Sequence, residues 1–170
     1  MDVQQALGNH GSPFQVKWKG RIYTLSYKVQ RIKAELVRWA KETAINEVLQ
    51  LRSLLPPEDY QQQLKSVVND SRDGKYDYGG DILNEMLDTP SGRIANLRIL
   101  LGKDCTLSDD ELTELLLAEG DKISSFVGAC AASIEQIKQD LGWDKEKDPN
   151  GENIDPKALA AALRAADLWE

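Results

Sequence analysis

Histidine, cysteine, methionine and phenylalanine are scarce in this chain of 170 residues, at one, two, two and two. A single histidine rules out a multi-histidine metal site, and two distant cysteines, Cys105 and Cys130, do not complete a zinc set. Catalytic pairs built on histidine need a partner held in place. His10 sits instead in a lead-in with Gly8, Asn9, Gly11 and Ser12, expected to be flexible. Neither a Gly-x-Gly-x-x-Gly nor a Gly-x4-Gly-Lys-Ser/Thr run is present to cradle a phosphate. No apolar run approaches the roughly 20 residues that span a bilayer, so no membrane partner is expected. The opening Met-Asp-Val-Gln-Gln-Ala-Leu-Gly lacks the charged and apolar regions of a signal peptide. Two thiols, one in a polar loop and one in an Ala-rich helix, can pair but fit a reduced interior better. The expected chain has no metal, no cofactor and a cytoplasmic address.

What is present is architecture. Residues 14–27 read Phe-Gln-Val-Lys-Trp-Lys-Gly-Arg-Ile-Tyr-Thr-Leu-Ser-Tyr, two alternating runs joined at Lys19-Gly20. A two-residue turn sets Val16 opposite Tyr23 and Phe14 opposite Leu25, leaving one apolar face. An isolated hairpin is marginal in water, so that face needs helices or a partner beneath it. A long helix is predicted from about Val29 to Leu55. Its stripe is Val29, Ile32, Leu36, Trp39 and Thr43 and then, after a drift in phase, Val48, Leu51 and Leu55. Pro56-Pro57 stops it and opens a helix with Tyr60, Leu64, Val67 and Val68 on one face. Asp70 to Gly74 breaks that helix, and Lys75 to Gly80 forms a loop. Short helices follow from Asp81 and from the Thr89-Pro90-Ser91-Gly92 stop. Ser108 with Glu111 is a capping-box pattern, Gly120 is expected to punctuate, and apolar residues continue at helical spacing to Leu141. A polar linker, 144–155, leads to a last helix over 156–169.

The predicted fold is therefore mostly α, a bundle of about six or seven helices with a small N-terminal β-hairpin. Its organisation is a lead-in over 1–13 and one domain over 14–170, with the bundle over 29–141.

The candidate sites are few. The linker from Asp144 to Asp155 suggests a calcium loop, but neither register supplies both the sixth-position glycine and the twelfth-position glutamate. With Asp148 first, those places hold Asn153 and Leu159; with Gly151 sixth, the twelfth is Lys157. Lys75-Tyr-Asp-Tyr-Gly-Gly80 has the composition of a recognition loop, or of a turn folding its tyrosines over the core. Acid pairs such as Asp109-Asp110 read as complements to a helix dipole. Trp39 reads as core, while Trp18 either anchors the hairpin or meets a partner, and Trp169 is either docked or a contact.

Charge is distributed unevenly. Lys17, Lys19, Arg21, Lys28, Arg31, Lys33, Arg38 and Lys41 crowd one segment against Glu35 alone. Asp104, Asp109, Asp110, Glu111, Glu114, Glu119 and Asp121 crowd another with no base among them. The basic segment can be a nucleic-acid groove, a solvated face or the complement of the acidic one. A net charge of −7 repels phosphate at long range, which disfavours nucleic acid.

The order of parts carries a resemblance. A Phe-x-Val-x-Trp-x-Gly-x-x-Tyr-x-Leu hairpin leads into a long helix with Arg38-Trp39. Then come Leu54-Leu-Pro-Pro-Glu-Asp-Tyr60, Gly74-Lys-Tyr-Asp-Tyr-Gly-Gly80, Thr89-Pro-Ser-Gly92, a leucine-rich helix and an acidic Ser-x-x-Glu helix. This layout resembles small proteins of tailed bacteriophages called tail assembly chaperones, over residues 14 to 120; the helix from Pro156 falls outside it.

The resemblance implies a non-enzymatic protein of the host cytoplasm that keeps a tape measure protein, or another phage tail protein, soluble during virion assembly. It implies contacts at Phe14, Val16, Trp18, Tyr23, Tyr76 and Tyr78, and self-association is open. Three other readings stand beside it: a structural subunit of the virion at the head-tail connection, tail or capsid; a nucleic-acid-binding module; and an enzyme with a carboxylate site assembled by the fold.

Overall fold

Among the described residues of the computed structural model, 68% are helical, in six helices, beside one two-stranded antiparallel hairpin, so the mostly-α expectation holds. It describes residues 14–144, 146–148 and 153–169; the lead-in with His10 and much of the polar linker lie outside the described residues. The chain falls into two compact units, Met1–Arg31 with Leu100–Glu170, and Ile32–Ile99.

The first unit starts with β1 (Phe14–Trp18) and β2 (Arg21–Leu25), paired in the predicted register, Phe14 with Leu25 and Val16 with Tyr23. Lys19 (φ 46°) and Gly20 (φ 75°) both take left-handed backbone, which a right-twisted two-residue hairpin demands. Val16, Trp18 and Leu25 are buried. Beneath β1 lies α5 (Asp109–Asp140). The Phe14 ring stacks on Phe126 with centroids 4.6 Å apart, and the Lys19 ammonium pairs with Glu114. Phe14 to Lys19 spans ~17 Å of strand and Glu114 to Phe126 ~18 Å of helix, so β1 runs antiparallel along α5.

Helix α5 corrects one expectation. It continues for 32 residues without a break at Gly120. A glycine inside a helix costs only ~0.5–1 kcal/mol relative to alanine. Leu112, Leu115, Ile123, Phe126 and Cys130 hold one buried stripe across it, which outweighs that cost. The start is fixed by the predicted capping box: Ser108 Oγ accepts from Glu111 N–H at 3.2 Å, and Glu111 accepts from Ser108 N–H at 2.9 Å. The bond from Ser108 N–H holds the Glu111 carboxyl below its usual range. Helix α6 (Pro156–Ala165) begins with Pro156 at its first position and Asp155 accepting from Lys157 N–H.

The second unit takes most of α1 (Val29–Gln50), then a 3-10 turn (Leu51–Ser53), α2 (Pro57–Arg72), α3 (Asp81–Asp88) and most of α4 (Pro90–Leu101). Here the buried stripe of α1 is Ile32, Leu36, Ala40, Ala44 and Val48, at every fourth residue. Trp39 and Thr43, expected on that stripe, are half-buried. A four-residue repeat advances ~40° per step, so the buried ridge winds past them, and alanines on it admit a close neighbour. The helix also ends at Gln50, short of Leu55, leaving Leu54 75% exposed.

Candidate functional site

The loop from Lys75 to Gly80 is the leading candidate for recognition, and its backbone, with that of the preceding Gly74, explains most of its composition. Gly74 is left-handed at φ 73°. The carbonyls of Asp70, Gly74, Asp77 and Lys75 accept from the N–H groups of Lys75, Asp77, Gly80 and Leu83 at 2.7 to 3.2 Å. A Cβ on Gly80 would lie 2.4 Å from the Lys75 carbonyl oxygen, so only glycine fits there. The Lys75 ammonium bonds Asp70 at 2.7 Å, and that carboxylate raises its pKa. Lys41 pairs with Asp77 at 3.2 Å.

The two tyrosines of this loop part company. Tyr76 is 4% exposed, and burial pushes its hydroxyl above the usual tyrosine range. Tyr78 is 46% exposed, with the Lys33 ammonium 4.9 Å from its ring centroid. The loop thus places one ring in the core and offers one to solvent.

Thr89-Pro-Ser-Gly92 is a helix corner. Thr89 Oγ1 donates to the Met86 carbonyl at 2.6 Å, closing α3. The same oxygen accepts from Gly92 N–H at 3.1 Å, capping α4. The motif is accounted for by the turn it makes.

The hairpin residues belong to the first unit. Val16 and Trp18 are buried, Phe14 rests on Phe126, and Tyr23 leans on Trp18 with centroids 6.0 Å apart. Of the six residues expected as contacts, Val16, Trp18 and Tyr76 are covered by the fold, Phe14 and Tyr23 are half-covered, and Tyr78 is the open one.

Sequence reasoning missed several exposed apolar side chains in the second unit. Ile45 and Leu49 stand one turn apart on α1, Leu51 and Leu54 follow, and Val68 stands on α2, itself a helix with no buried residue. The available signal was an excess of apolar residues near Leu49 over what one buried stripe can use. Leu51, read as part of the buried stripe, is exposed, and the half-buried Leu55 follows it outside the helix.

One ion pair joins the basic segment to the acidic one, Lys19 with Glu114 in the first unit. Lys28 meets Asp167 and Lys41 meets Asp77, both outside the acidic segment. In the polar linker, Asp148 accepts from Asn153 N–H at 2.9 Å, and its carbonyl accepts from the Trp143 indole at 2.6 Å. Among the described residues no group of three or more His, Cys, Asp or Glu side chains is placed to hold a metal ion. Among them, no helix is long and apolar enough to cross a membrane. Cys105 and Cys130 are both free, and burial pushes the Cys130 thiol up to about 11. Comparison with family models, with curated proteins and with solved structures returns no match to this chain.

Proposed function

We propose that this chain is a non-enzymatic assembly chaperone of the phage-tail type, covering amphipathic helix on a tape measure protein until tube subunits polymerise around it. The observation that supports the reading is the exposed apolar pair Ile45 and Leu49, one turn apart on α1, with Leu54 and Val68 also exposed in the same unit. Exposed apolar side chains at helical spacing are suited to receiving the apolar face of another helix. Tyr78, the open ring of the neighbouring loop sequence, is the aromatic contact in this reading. The layout of hairpin, long helix, Gly-Gly loop and Thr-Pro-Ser-Gly corner points the same way.

The test is affinity purification of the tagged protein from its native setting, with mass spectrometry of what is retained and of finished particles. A long helix-rich partner retained, with this chain missing from particles, is the expected result. Stoichiometric presence in particles would instead make it a structural subunit, and retention of nucleic acid that falls steeply with salt would make it a nucleic-acid module.

A further inference from the structure

The first turn of a helix has backbone N–H groups with no acceptor inside the helix. In α1 two of them are taken by the far end of the chain. Val29 N–H donates to the Leu168 carbonyl at 2.9 Å and Gln30 N–H to the Trp169 carbonyl at 3.2 Å. Beside them the Lys28 ammonium donates to the Asp167 carbonyl at 3.0 Å and pairs with the Asp167 carboxylate. Leu168 is buried, and the Arg164 guanidinium lies 5.3 Å from the Trp169 ring centroid.

How the tail reaches this place is written in the end of α6. Leu168 N–H returns to the Leu163 carbonyl at 2.8 Å and Asp167 N–H to the Arg164 carbonyl at 3.0 Å. That pair of bonds is a Schellman ending, whose left-handed residue is usually glycine. Here it is Asp167, at φ 57°. Glycine would satisfy the backbone better; aspartate is explained by its carboxylate, which reaches Lys28.

We propose that the start of α1 is a peptide-recognition site, filled here by the chain's own Asp167-Leu168-Trp169 and selective for an acid–leucine pair followed by one further backbone carbonyl. Two backbone hydrogen bonds, one ion pair and one buried leucine define it, and each maps onto one residue of the tail. The backbone bonds fix the segment's direction, Lys28 selects the acid, and the place of Leu168 selects an aliphatic side chain. Occupied in cis, the site is a latch that a competing segment of the same pattern can open.

Amide hydrogen exchange on the full chain tests this, because first-turn amides otherwise exchange freely. In the unchanged protein, Val29 and Gln30 are expected to be protected. Leu168→Ala raises both rates about tenfold or more, the order expected for losing a buried leucine side chain. The free peptide Ala-Asp-Leu-Trp-Glu, in excess, restores the protection, and the same peptide with alanine for leucine does not. Should Leu168→Ala reduce helicity, Lys28→Ala removes only one ammonium and gives the second reading: faster exchange at both amides with helicity intact. Unchanged exchange at Val29 and Gln30 overturns the proposal. So does a peptide that fails to restore protection to a folded Leu168→Ala chain.

Discussion

A Cβ on Gly92 would stand 2.0 Å from the Met86 carbonyl oxygen, closer than any real side chain approaches backbone. The corner between α3 and α4 therefore depends on one missing methyl group. Gly120, in the middle of α5, is the opposite case, with nothing within 4 Å of an added Cβ. Gly92→Ala is expected to cost about 2–4 kcal/mol, the range of severe overpacking against backbone. Gly120→Ala is expected to stabilise by about 0.5–1 kcal/mol through helix propensity. Urea midpoints of the two variants, measured together, check both signs.

Phe14 ties the hairpin to α5 through its stack on Phe126. Either ring changed to alanine should lower stability by about 2–3 kcal/mol, somewhat less than a fully buried phenylalanine. The double variant should cost less than the sum, with a coupling of about 0.5–1.5 kcal/mol. Additive costs in the double-mutant cycle would mean that the stack holds no energy of its own.

The capping box at Ser108 gives a pH-dependent prediction. Ser108→Ala should cost about 1 kcal/mol. Glu111 is held below its usual pKa in the folded chain, so its contribution is present at neutral pH and lost as pH falls through the carboxylate range. The gap between the unchanged chain and Ser108→Ala should therefore narrow below about pH 4. A gap constant from pH 7 to pH 3 would contradict the assignment.

The two thiols should separate on labelling. Cys130 is buried and its thiol is raised to about 11, whereas Cys105 is half-exposed. At pH 8 a disulfide reagent should modify one thiol quickly in the native chain and both only after unfolding. Because the folded thiol has the raised pKa, the stability it confers is full below the unfolded value near 9. It is lost as pH rises towards 11. Cys130→Ala should flatten that alkaline decline.

Leu49→Asp with Leu54→Asp addresses the proposed docking contacts. Leu54 is largely exposed and Leu49 about half exposed, so stability should change by no more than about 0.5 kcal/mol at Leu54 and about 1 kcal/mol at Leu49. Partner retention in the affinity purification should disappear. Retention unchanged by both charges would move the contact elsewhere on the chain.

Much of this was legible from local chemistry. Alternation over Phe14 to Leu25 with Lys19-Gly20 between the runs specified the hairpin and its pairing, because a side-chain period of two leaves one register with a single apolar face. Ser108 with Glu111, and proline at positions 57, 90 and 156, marked helix starts because caps act within three residues. Signals of longer reach were ambiguous. Gly120 looks the same in sequence whether or not the stripe continues past it. Two tyrosines separated by one residue do not say which one turns inward.

The amino-acid sequence by itself determined the order of the elements, several helix starts and the pairing of the hairpin, since each rests on interactions among neighbours along the chain. Helix ends were less legible: the ends expected at Leu55, Gly120 and residue 169 lie at Gln50, Asp140 and Ala165. Tertiary structure alone decided that Val16, Trp18 and Tyr76 are core while Tyr78 and Leu54 face water. It also decided that the tail at Leu168 closes the first turn of α1. Those outcomes depend on which distant surface reaches an apolar face or an open backbone donor. Periodicity shows that such a face exists and carries no record of what meets it.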